Sequence, residues 1–134
     1  MIRCIHLTTG ADGESHFTEG QIDLPAGERG DSISSVAGAR SISFRETSGG
    51  GSFDWHDAPE HQLVLTLSGT LEFETRSGAR FQLNPGDVLW AEDTAGGGHR
   101  WRLLGTDPWR RAYVILSPDA RVPFVPTQGN THAN

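Results

Sequence analysis

The amino-acid sequence predicts an all-β domain, an antiparallel sheet system closed or nearly closed into a barrel. Three observations carry this expectation. Apolar runs of strand length recur along the chain, turn-forming residues separate them, and no window sustains a capped 3.6-residue apolar period. The first runs cover residues 3–7, 16–18, 21–24 and 41–45, divided by Gly10-Ala11-Asp12-Gly13 and Pro25-Ala26-Gly27. A denser middle follows at 62–68, 70–75, 80–83 and 88–91, with Ser77-Gly78 and Asn84-Pro85-Gly86-Asp87 as turns. The runs at 100–104 and 111–116 complete the set. Gly49-Gly50-Gly51-Ser52 and Gly96-Gly97-Gly98 read as flexible loops, without the strand–loop–helix context or the lysine of a phosphate-binding loop.

A length of 134 residues suits one domain. The barrel is expected over residues 1–117, and residues 118–134 read as a proline-spaced tail with a polar, frayed end. A net charge of −6 without a basic stripe excludes nucleic acid and anionic membrane as partners. All 11 basic residues are arginine, which removes Schiff-base chemistry, because that needs a lysine amine. Cys4 is the single cysteine and reads as a small buried filler, with no disulfide and no paired-cysteine metal site. No apolar stretch has the length of a signal peptide or a membrane span, so a cytosolic setting is expected.

Two segments carry chemistry. Trp55-His56-Asp57-Ala58-Pro59-Glu60-His61-Gln62 leads into an apolar strand that ends at Gly69. Pro85-Gly86-Asp87 leads through another strand to Gly96-Gly97-Gly98-His99. Together they resemble the two motifs of the cupin superfamily: paired histidines, a glutamate and a glycine, then Pro-Gly-Asp ending in Gly-x-x-His. The resemblance covers about residues 53–104 and implies a jelly-roll barrel with a metal-binding pocket in its mouth. Carried over residue by residue, it aligns His56 and His99 with two of the histidines, and puts Ala58 and Gln62 at the second histidine and the glutamate. The implied metal set is therefore His56, Gln62 and His99, around a divalent ion of unspecified identity.

Strand alternation assigns faces. If Gln62 points inward, Val64, Thr66 and Ser68 follow it, while Leu63, Leu65 and Leu67 point outward. Outward leucines require a cover, either the chain's own N-terminal strands or a second copy in a homodimer. On the later strand His99, Trp101 and Leu103 share the inner face, with Arg100 and Arg102 outside. The expected ligand pocket thus comprises His56, Gln62, Thr66, Trp90, His99 and Trp101. Glu60, His61, Glu92 and Asp93 lie in the adjoining loops and are read as solvated or turn-forming residues, with entry into the pocket as the alternative.

Two functions fit this set. One is a metal-assisted enzyme acting on a small organic acid or carbonyl compound, by isomerase, lyase, decarboxylase or oxygenase chemistry. The other is a non-catalytic barrel that binds or senses a small molecule without metal. The enzyme is the leading reading and the binding barrel its alternative, which loss of the family's glutamate and one histidine would suit. No nucleophile-elbow spacing supports a serine hydrolase.

Overall fold

The structure, a computed structural model, describes residues 1–132. Strands β1 (Arg3–Thr9), β2 (Ser15–Ile22), β3 (Ala39–Thr47), β4 (Ser52–His56), β5 (Gln62–Ser68) and β6 (Thr70–Thr75) form the first part. Strands β7 (Arg80–Leu83), β8 (Val88–Glu92), β9 (His99–Leu104), β10 (Trp109–Leu116) and β11 (Phe124–His132) follow, and no helix interrupts them among the described residues. They form a seven-stranded sheet in the order β11-β2-β1-β8-β5-β10-β3 and a four-stranded sheet in the order β4-β9-β6-β7. This is the expected all-β, jelly-roll architecture. Every pair is antiparallel except β1 with β8, a parallel pair that the long intervening chain permits. Among the described residues no helix is long and apolar enough to cross a membrane.

Alternation puts the core between the sheets. Along β5, Gln62, Val64 and Thr66 are buried, Leu63 and Leu65 half-buried, and Leu67 exposed. Along β9, His99, Trp101 and Leu103 are buried while Arg100 and Arg102 face solvent. Ile5, Leu7, Phe17, Val64, Leu71, Phe73, Phe81, Leu83 and Leu89 fill the interior, as period-2 strands with one wet face require. Cys4 is buried, and burial pushes its thiol up to about 12, which keeps it protonated and inert.

The outer face of the large sheet is apolar beyond the three leucines. The strand registers align Phe44, Ala112, Leu65 and Val88 in one row, and Ile42, Val114, Leu63 and Trp90 in the next. The N-terminal strands do not cover these rows. They extend the same sheet beyond β8, so self-burial beneath them is ruled out as the explanation for the leucines.

Three strands differ from expectation. The runs 16–18 and 21–24, read as separate, are joined through residue 22 into β2, because Gly20 continues the strand instead of breaking it. Strand β4 arises in the polar approach to His56, and β11 arises within the segment read as a tail. Residues 133–134, where that tail ends, lie outside the described residues. Gly20 explains how β11 docks. A Cβ there would strike the Val125 carbonyl oxygen and the Phe124 ring. The Pro-Gly-Asp motif is likewise structural: Asp87 caps its own turn by accepting from the Asn84 N–H at 2.9 Å, and accepts from Arg3 of β1 at 2.8 Å.

Gly20→Val should therefore cost about 1–3 kcal/mol by overpacking the β2–β11 contact. Urea unfolding measures this, and a change below about 0.5 kcal/mol would mean that β11 does not rest on Gly20.

Candidate functional site

The pairing of β4 with β9 sets His56 opposite His99, and their ring centroids lie 4.5 Å apart, edge to face. Each ring is anchored through Nδ1. His56 Nδ1 donates to the Asp54 carbonyl at 2.7 Å, and Phe53 stacks on the ring at 3.9 Å. His99 Nδ1 donates to Asp93 Oδ2 at 2.6 Å. The same carboxylate oxygen accepts from Ser15 Oγ at 2.6 Å, while Oδ1 is buried without a hydrogen-bond partner. In both rings Nε2 is the nitrogen left to meet a ligand.

Gly96-Gly97-Gly98 delivers His99 to this position. The expectation of a flexible loop is corrected here. Gly96 and Gly98 adopt positive φ, and a Cβ at Gly98 would strike the His56 carbonyl. The Gly97 N–H bonds to the Gly13 carbonyl at 3.0 Å. The run is a close-packed seam between β4 and the β1–β2 turn.

A cavity of about 390 Å³ opens beside the two histidines. Gln62, Val64, Leu89 and Ala91 form its floor from the large sheet, and Phe73, Trp101 and Trp109 form an aromatic wall. Trp101 and Trp109 meet edge to face at 4.8 Å. Of the six residues expected in the pocket, His56, Gln62, His99 and Trp101 line the cavity. Thr66 is interior but sits behind Trp109, whose indole N–H donates to its hydroxyl at 3.4 Å. Trp90 is a correction. It alternates with Leu89 and Ala91 and so faces away from the cavity, stacked on His6 at 3.6 Å and packed against Phe124.

The loop carboxylates divide. Glu60 reaches the cavity mouth, where it pairs with exposed Arg40 at 3.6 Å. Glu92 lies outside, bonded to His6 at 2.7 Å and to exposed His61 at 3.1 Å. Asp93, read as a turn residue, is fully buried beneath His99. Sequence reasoning missed Arg45, Arg111 and Tyr113, which line the cavity opposite the histidines. For Arg111 and Tyr113 the signal was the alternation Trp109, Arg111, Tyr113, Ile115 along β10, which places one of two adjacent arginines inside.

The residues present do not fit a resident metal. No three His, Cys, Asp or Glu side chains among the described residues are grouped to hold one. Ala58 offers no donor, Gln62 offers only a neutral amide oxygen, and Asp93 engages the Nδ1 side of His99. Two imidazoles and an amide leave a divalent ion without an anionic ligand.

Burial holds His56 below the ordinary histidine value of 6.5, against the Asp54 hydrogen bond that raises it. Burial also lowers His6, against Glu92. A depressed histidine favours the neutral fold. Its contribution to stability is full above pH 6.5 and is lost as pH falls from there through the lowered folded-state value. The thermal midpoint should therefore fall between about pH 7 and pH 5.5, and His6→Gln combined with His56→Gln should flatten that slope. An unchanged slope in the double variant would refute the assignment.

The family model for the AraC-like ligand binding domain matches residues 44–124, from within β3 to the start of β11. No curated protein matches the chain. The matched segment takes in His56, Gln62, His99 and the arginine wall, and its cupin-like jelly roll is the architecture seen here. The chain belongs to the AraC-like ligand binding domain family.

Proposed function

We propose that this domain binds or senses a small organic molecule in the cavity between its sheets, without a metal and without catalysing a reaction. One observation carries the reading. Two histidines, each tethered through Nδ1, converge on an aromatic-walled cavity of about 390 Å³. Such concave sites with a few fixed polar groups are how small ligands are recognised. The family description supports it, and among the described residues no three His, Cys, Asp or Glu side chains are grouped to hold a metal.

His56→Ala and His99→Ala should each weaken ligand binding by about 10-fold or more, since each removes a hydrogen bond from a desolvated ligand. Ligands found by thermal-shift screening, titrated against tryptophan fluorescence, provide the measurement. Elemental analysis of protein purified without an affinity tag should find far less than one metal per chain. Stoichiometric metal that disappears in His99→Ala would replace this reading with metal-assisted chemistry on an organic acid or carbonyl compound at His56, Gln62 and His99.

The homodimer expected from Leu63, Leu65 and Leu67 belongs to this proposal. A second copy meeting the first through the same sheet would cover the rows that leave Phe44 72%, Ile42 59% and Leu67 59% exposed. Phe44→Arg should turn a sedimenting dimer into a monomer with little loss of thermal stability, because Phe44 is exposed in the single chain. A wild-type monomer at high concentration would end the dimer.

A further inference from the structure

Resting on the binding-module reading, we infer that the ligand is a small monocarboxylate, its anion held by Arg111 and Arg45 on the wall facing the histidines. Arg111 is 3% exposed, yet no carboxylate pairs with it among the described residues. Its guanidinium carbon lies 3.8 Å from the Trp109 ring centroid. Nη1 donates to Thr47 Oγ1 at 2.7 Å and to the Trp109 carbonyl at 3.0 Å, and Nε donates to the Tyr113 hydroxyl at 3.2 Å. Nη2 has no hydrogen-bond acceptor among the described residues. These neutral acceptors orient the guanidinium but do not neutralise it.

The chain's treatment of its other arginines makes the contrast. Arg110, one residue earlier, pairs with Glu46 at 2.6 Å on the outer face. Arg3, Arg40, Arg80, Arg100 and Arg102 also have carboxylate partners. Among the described residues Arg29, Arg76 and Arg121 also lack a carboxylate partner but are exposed, so Arg111 is the buried arginine left without one. Arg45, itself exposed, adds a second cation beside it. It lies 4.7 Å from the Tyr113 ring centroid, with Arg111 at 5.5 Å from the same ring, and it too has no carboxylate partner among the described residues. Two cations flank one aromatic ring, and burial together with Arg45 pushes Arg111 down from its ordinary value. A buried charge without its counter-ion is costly, and a bound anion offsets that cost.

Geometry narrows the class. The arginine fork matches a planar carboxylate. A single buried cation, with Arg45 exposed beside it, suits a monoanion better than a phosphate dianion. Between the arginines and the histidines lie Trp101, Trp109 and Phe73, which favour an apolar or aromatic body.

The test compares acids with their uncharged isosteres. Benzoate, phenylacetate, 2-furoate and hexanoate, and the primary amide of each, are titrated calorimetrically into wild type, Arg111→Gln and Arg45→Gln. In the wild type at least one acid should bind, with its amide about 10- to 100-fold weaker, the range expected for a charge-assisted hydrogen bond. Arg111→Gln should erase the preference for acid over amide, and Arg45→Gln should reduce it. A merely structural arginine would lower stability without changing that ratio. Amides binding as well as acids, or Arg111→Gln keeping the preference, would overturn the monocarboxylate while leaving the binding module intact. Binding of neither set, acid or amide, would overturn both. Should Arg111→Gln fail to fold, the wild-type comparison and Arg45→Gln still decide.

Discussion

Asp93 is the residue on which the site depends. Its carboxylate is fully buried, and one of its oxygens accepts from both Ser15 and His99. Ser15 belongs to the large sheet and His99 to the small one, so this oxygen fastens the two layers at the cavity floor. The Asp93 carbonyl also accepts from the Ala58 N–H at 2.9 Å, which fixes the chain leaving His56. Removing either partner would take a donor from a buried oxygen whose neighbour, Oδ1, already has none. The family's Gly-x-x-His spacing here ends in a histidine whose orientation a carboxylate determines. The glycine seam then lets His56 approach the same ring.

From this anchor the cavity acquires two unlike ends. At one, imidazoles held through Nδ1 present Nε2, a group that donates or accepts according to its protonation. At the other, the Arg111 guanidinium, held by neutral acceptors, presents positive charge. The aromatic residues between them supply apolar area without further polar demand. This division is what a binding site for one oriented small molecule requires.

Much of the fold was legible in the sequence. Strands β5 to β9 combine period-2 alternation with strong turn residues, so their existence and facing could be read directly. Strand β4 was not legible, because Ser52-Phe53-Asp54-Trp55-His56 lacks a one-sided apolar pattern and gains its place by pairing with β9. Strand β11 was hidden by Pro126, which an edge strand tolerates and a central one does not. In the site, His56, Gln62, His99 and Trp101 followed from motif spacing and alternation. Trp90 was misplaced because proximity to the motif outweighed its own parity. Asp93 was read first as a turn or solvated residue because its burial depends on Ser15, 78 residues away in the chain. Arg111 escaped because an arginine reads as a surface residue until the strand's alternation is followed through it.

The central claim is that both histidines meet one ligand through Nε2 while Nδ1 stays anchored to Asp54 and Asp93. Long-range proton–nitrogen NMR of the imidazoles, recorded as ligand is added to the tag-free protein, tests it most directly. The account predicts that the Nε2 signals of His56 and His99 shift together and saturate at one ligand per chain, while both Nδ1 signals keep their bonded protons. Saturating binding that leaves both Nε2 signals unmoved, or moves only one, would contradict it.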